Sequence, residues 1–476
     1  MADQKNQNRW KVEEGRLMKA WEIEFETMAK AKPIPVLASE ENWSDYETAG
    51  KVWNDKLYKD WRSTVPGSGA PCQLVVAAVQ AMENRGYDVS AAETLLDDAL
   101  RCFEEKDTRG LNVATAKIYA ELSNAPKDKN SDYWNYKLYD SFEEFEKSVD
   151  FPSYPKVDVY SDSFAHSING AWLAQLVGGA VGTQMEGYTT ENIVGTYGEI
   201  TSYICEPETY NDDITYELAF LDAFMKKGYG ITSKDIAMAW AGIIPDGYSA
   251  EEYALNNIRH GIMPPQSGIT GNWFYEWIGA QMRTAIHGMV APGNPYLAAK
   301  LAWEDSTVSH RHNGVLGGVF NAVLCSLAFV ENDVRRILDI AIGMIPKDAE
   351  YYSVVSGALE VCKSHNNWMD AWKILEERYK KYHWIHAYPN AAAEVLGLYY
   401  GDGDFDKTIN IICLAGRDTD CNAAQILTVL GIINPEIDTK WTDDLKGVVK
   451  TYLADYKEFT IDTLVSKTVL SVIDAQ

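Results

Sequence analysis

The chain has 476 residues, 46% of them hydrophobic and 12% aromatic, with a formal net charge of -26. That balance excludes a nucleic-acid-binding surface, because a phosphate backbone rewards clustered Lys and Arg, although an anionic small molecule stays compatible where cations and local donors reverse the field. The seven cysteines, Cys72, Cys102, Cys205, Cys325, Cys362, Cys413 and Cys421, are scattered, odd in number and without a CxxC pair, which predicts reduced, mostly buried thiols rather than a disulfide frame or a zinc site. At roughly 150 residues per domain the length predicts two to three units. The N-terminus MADQKNQNRWKVEEG lacks the apolar core of a signal peptide, and no run of about 18 apolar residues occurs, so a cytoplasmic chain without a membrane partner is expected. The plainest reading of its acidity is solubility.

In chain order, residues 1–30 place Leu17, Trp21, Ile23, Phe25 and Met28 at roughly helical spacing and predict an amphipathic helix. After the break at Lys32 to Pro35, an aromatic polar stretch leads to the turn-rich VPGSGAPC. Three helices are then predicted over 73–84, 91–105 and 111–122. The aromatics of this region read as core rather than as a ligand platform, while the exposed-looking string Tyr133, Trp134, Tyr136 and Tyr139 keeps a carbohydrate or lid role open. Residues 124–162, polar and punctuated by proline, read as a linker. From Ser163 small residues dominate, and Gly170, Ala174, Gly178, Gly179 and Gly182 predict a helix packed closely against a neighbour despite the cost of glycine in a helix interior. Helical patterns follow over 213–227, 233–243, 250–260, 274–287, 295–303, 314–330, 333–342 and 425–431, with alternating strand patterns nearly absent. The expected fold class is all-α, with an N-terminal helical region over 1–160 and a second domain over 161–476. The tail from Trp441 resumes helical spacing.

Two stretches carry the chemistry. GRDTDCNAAQ sets Asp418 and Asp420 two residues apart at the start of an apolar helix, and NDDITYELAF sets Asn211, Asp212 and Asp213 ahead of another. Carboxylates clustered on a buried first turn are costly unless neutralised, and a pair of hard cations held through oxygen is the economical answer. The competing expectation is that Arg283 and Arg417 pair with these acids and no metal binds. Glu276 and Arg283 share a helix face two turns apart, placed either to contact a sugar or phosphate or to form a buried network. The GDGD around Asp402 and Asp404 reads as a turn, since it lacks the downstream glutamate of a calcium loop.

The order of WLAQLVGGAVGTQMEG, NDDITYELAF, TVSHRHNGVLGGVFNAVL and GRDTDCNAAQILTVLG resembles the ADP-ribosylglycohydrolase family over roughly 163–435. The resemblance implies a helical bundle with two magnesium ions, replaceable by manganese, at the bottom of a cleft. It implies metal ligands at Asp212, Asp213, Asp418 and Asp420, with Asn211 and Cys421 beside them where the family carries Thr or Ser. It implies catalytic roles for Glu186, Asp212 and Asp418, and a substrate contact from His310, with His312 as its competitor; Glu276, Arg283 and Asn313 are added as candidate substrate-binding residues. The expected activity is hydrolysis of a ribosyl-type glycosidic bond in a small-molecule or ADP-ribosylated substrate, by a chain compatible with a monomer. The alternative is a catalytically silent protein that binds ADP-ribose or a sugar in the same cleft, which the Asn211 and Cys421 replacements favour.

Overall fold

The computed structural model describes residues 19–476 apart from 36, 38, 39, 63–66 and 71. The described residues before Leu57 and those from Leu57 to Gln476 form separate compact units. In the first, helix α1 (Ala20–Lys30) buries no residue and leaves Trp21, Phe25 and Met28 exposed, while Leu17 lies outside the described residues. The second unit is built from helices, among which α2 (Leu74–Asn84), α3 (Thr108–Ser123), α4 (Asp162–Gly182), α5 (Asp212–Lys227), α6 (Ser249–Arg259), α7 (Asn313–Leu327), α8 (Ala387–Gly401), α9 (Thr419–Ile433) and α10 (Ile461–Ala475) frame the site. Among the described residues the one sheet is an antiparallel pair, β1 (Val448–Lys450) with β2 (Glu458–Thr460), registered Val449 to Phe459. No helix among the described residues is long and apolar enough to cross a membrane.

Helices α4 and α9 form the central pair, and their small residues explain the closeness. A Cβ on Gly178 would stand 2.5 Å from the Ala424 nitrogen, and one on Gly182 would stand 2.4 Å from that of Asp420. Only hydrogen fits there, so the glycines let the α4 backbone lie against the first turns of α9. The tail closes over the same helix: α10 packs on α4, and the Trp172 indole donates to Thr468 Oγ1 at 3.0 Å.

Residues on both sides of position 160 belong to one body. Tyr139 and Phe145, within the stretch expected to be a linker, are buried, and Lys137 N donates to Asp348 O at 2.8 Å. The aromatic string is likewise structural rather than a sugar platform. Tyr133 is buried with its hydroxyl on Glu276 Oε1 at 3.0 Å, and the Trp134 indole donates to Gly86 O at 2.7 Å. The GDGD stretch is a turn: Asp402 ends α8 with φ of 54°, and Asp404 caps the helix Phe405–Ala415.

The core also hides carboxylates. Glu394 is fully buried, its Oε1 accepting from Asn321 Nδ2 at 3.0 Å and its Oε2 without a partner, and burial raises its pKa from 4.5 to about 8. Between those two values the folded chain holds a proton that the unfolded chain lacks, so stability falls as pH rises through the window and levels off above it. Glu394→Gln keeps the shape without the charge. Its unfolding free energy should exceed the parent's by on the order of 2–4 kcal/mol near pH 9 and converge with it near pH 5. Denaturant titrations with equal pH slopes for the two proteins would contradict this.

Candidate metal centre

Each acidic tip is set by a local device. Helix α5 begins at Asp212 because Asn211 caps it, its Oδ1 accepting from Asp213 N at 2.7 Å. Ahead of α9, Gly416 has φ of +71° and faces Tyr188 O where a Cβ would stand 2.2 Å away, so the turn requires glycine. Arg417 follows at φ of +74°, a strained value for a residue with a side chain. It is held there by Glu376, whose Oε1 accepts from Nη2 at 2.9 Å, and by Gly187 N, which donates to its carbonyl at 2.7 Å. That second bond ties the turn after Glu186 to the turn before Asp418. From below, Asn390 Oδ1 accepts from Asp418 N at 3.1 Å.

The two tips meet. Asp212, Asp213 and Cys421 each offer a ligand atom within 4.8 Å of the others, and Asp418 and Asp420 do the same with the same Cys421 sulfur. Asn211 Nδ2 donates to Asp420 Oδ2 at 3.3 Å across the join. Above them opens a cleft of about 540 Å³ lined by Glu186, Asp212, Asp418, Asp420 and Cys421, with Glu251, Tyr248 and Tyr452 on its other walls. Lys59, Ser68 and Ala70, from before the glycine-rich helix, line it too. Gly67 N donates to Glu186 O at 3.2 Å, which holds that segment to the site.

The electrostatics are those of a cation site. Both oxygens of Asp213, and Oδ1 of Asp418 and of Asp420, are buried without a hydrogen-bond partner. None of the four aspartates forms an ion pair with Lys or Arg among the described residues; Arg283 pairs with Glu251 and Asp305, and Arg417 with Glu376. The expectation that these arginines neutralise the motifs is thereby corrected. Burial, then the neighbouring Asp420, raises Asp212 to about 6, and burial with the adjacent carboxylates lifts Asp213 and Asp418 well above the usual range. Four oxygen ligands short of partners, in a place that penalises their charge, fit divalent cations. Glu186, buried and also facing Asp420, is pushed well above its ordinary value, and its Oε2 has no partner.

Several sequence assignments are revised. Asn211 lines the cleft and caps α5, its amide oxygen accepting from Asp213 N while its NH2 end faces Asp420. His310, Glu276, Arg283 and Asn313 do not line the cleft. Glu276 accepts from Asn313 N and Nδ2 at 3.2 and 3.0 Å, so these two satisfy each other. His310 Nδ1 lies 2.8 Å from Ser309 Oγ, and burial, then the nearby Arg283, pushes its pKa well below the usual imidazole value. His312 instead meets Asp140 Oδ1 at 3.0 Å. Arg283 works one step back, gripping the cleft residue Glu251 at 2.6 Å.

Glu251 itself escaped the sequence reading, as did Tyr248 and Tyr452. The only signal for Glu251 was indirect: a buried arginine in the apolar GAQMR needs carboxylates, and the acidic start of α6 supplies one. Burial raises Glu251 to about 7 against the opposing pull of Arg283.

A sequence model of the ADP-ribosylglycohydrolase family matches residues 161–469. The chain belongs to the ADP-ribosylglycohydrolase family. It is accordingly a glycosidic-bond hydrolase, with the helical fold of such enzymes. No curated protein matches the chain. Among solved structures, a chain of an "ADP-ribosylglycohydrolase-related protein complex" is 18% identical to it, with a TM-score of 0.47, over 66% of this chain and 99% of that one.

Proposed function

We propose that the chain hydrolyses a ribosyl-type glycosidic bond in a small-molecule or ADP-ribosylated substrate, at a centre of two divalent cations held by Asp212, Asp213, Asp418 and Asp420. The observation that carries this reading is the meeting of the two acidic tips beneath a cleft that also presents Glu186. The carboxylate oxygens by themselves suit Mg2+ or Mn2+. When bound, such cations supply positive charge that polarises the oxygens they touch.

The protein's own groups do the rest. Glu186, whose hold on a proton is strengthened by burial and by the neighbouring Asp420, delivers a proton to the departing oxygen, and its unpartnered Oε2 is the free position for that bond. Asp212 and Asp418, at the two helix tips, fix the ribose against Glu186. Glu251, fixed by Arg283, gives the opposite wall a second carboxylate. We assign this catalytic work to residues 161–476, with Lys59 and Ser68 adding to the cleft wall.

The test is a screen of ADP-ribosylated peptides, nucleosides and aryl ribosides with Mg2+ and with Mn2+. Glu186→Gln should lower kcat on whichever substrate responds by about 100-fold or more, while divalent affinity stays within about twofold. Turnover that survives complete chelation would reject the scheme.

A further inference from the structure

We propose that this centre is built for borderline, sulfur-accepting divalent metals of the zinc, cobalt or iron(II) class, with Cys421 as a sulfur ligand shared by the two carboxylate pairs. The inference rests on the metal reading above and names the kind of ion.

The single Sγ of Cys421 is the ligand atom common to both groups, within 4.8 Å of the Asp212 and Asp213 oxygens and of the Asp418 and Asp420 oxygens. A tetrahedral ion with ligands at about 2.0 Å for oxygen and about 2.3 Å for sulfur spaces them by roughly 3.5 Å, so small side-chain rotations close either group. The first turn of α9 fixes the cysteine, which is 3% exposed. Its thiol lies beside the aspartate carboxylates and 3.7 Å from a second sulfur, Met282 Sδ. Both residues line the cleft.

Across the join, the Asn211 amide oxygen already accepts the capping bond from Asp213 N at 2.7 Å. The sulfur lies within 4.8 Å of a ligand oxygen of Asp212 and of Asp213, and the Asp213 carboxylate is fully buried. Hard Mg2+ gains little from a thiol, whereas thiolate selects softer ions. Loading breaks the S–H bond, releases its proton to solvent and forms metal–sulfur bonds, with no change of oxidation state.

The test uses the full chain, stripped with a chelator and titrated separately with Co2+ and Mg2+, read by calorimetry and near-ultraviolet absorption. Co2+ should produce a thiolate-to-cobalt charge-transfer band. Cys421→Ser should abolish the band and weaken Co2+ by about tenfold or more, while Mg2+ affinity holds or improves. Co2+ bound by the parent without the band, or a band that persists in Cys421→Ser, overturns the proposal and leaves the carboxylate site standing. Failure of the parent to bind either ion overturns both readings.

Discussion

Replacing Asp418 and Asp420 together by asparagine should abolish the thermal shift that divalent ions give the parent chain, and lower turnover at least about 100-fold. The expected effect is large because the ions bind only the folded state. At a free concentration of 100 times Kd they add about 2.7 kcal/mol to the parent and nothing to the variant. Without metal the order reverses. Like charges in a buried cluster cost stability when ionised, and burial with Asp420 already lifts Asp212 to about 6. The metal-free variant should therefore be about 1–3 kcal/mol more stable than the metal-free parent at neutral pH. Below about pH 6 Asp212 takes up its proton in the parent, so its metal shift should shrink there, because a cation must displace that proton. Scanning calorimetry with and without metal, at about pH 5 and about pH 7.5, reads all three. A variant that retains the metal shift would end the reading of these carboxylates as ligands.

What the sequence discloses of this site follows from which forces are local. The acidic tips are legible because two carboxylates at a helix start are costly wherever they are buried, so Asp212, Asp213, Asp418 and Asp420 stand out as a candidate cation cluster before the fold is known, and the fold brings them together. The glycines of α4 are legible for a similar reason, and Gly178 and Gly182 do lie against the α9 backbone. Most helices are visible in their periodicity, as with 233–243, found at Ser233–Ile243. The expected helix over 274–287 is not one. Its middle is a 3₁₀ segment, Ile278–Arg283, because the Arg283 and Gln281 side chains and the Ile278 backbone satisfy partners elsewhere in the fold. The tail also departs, forming the β1–β2 pair that carries Tyr452 on its turn to the cleft. Contacts such as Glu251 to Arg283 join residues 32 apart, and no spacing rule announces them. The same limit left Glu276 open between a substrate contact and a buried network and put His310 and Asn313 among the candidate contacts; in the fold Glu276 and Asn313 bond each other and His310 Nδ1 meets Ser309.

Arg283→Met should destabilise the chain by roughly 3–5 kcal/mol, since removing one partner of a buried charge network strands the others. Arg283 is fully buried and gives Nη1 to Glu251 and Nε to Asp305, each at 2.6 Å, and Nη2 to Ser309 Oγ at 2.9 Å. Its guanidinium also lies 4.8 Å from the Trp240 ring centre. Methionine fills much of the volume and satisfies none of these acceptors. Lysine restores a charge but not the planar fork, so Arg283→Lys should recover less than half of the loss. Adding Glu251→Gln and Asp305→Asn to Arg283→Met removes both stranded charges and should recover most of it. That recovery separates a charge effect from a packing effect. In the single variant Glu251 loses the partner that holds its pKa down, so its carboxyl should stay protonated to higher pH and the remaining stability should fall further as pH rises. Urea titrations of the four proteins at about pH 6 and about pH 8 give each comparison. A methionine variant within about 1 kcal/mol of the parent would mean that water or rearrangement reaches the network, and Glu251 would then lack the fixed position in the cleft wall that its role requires.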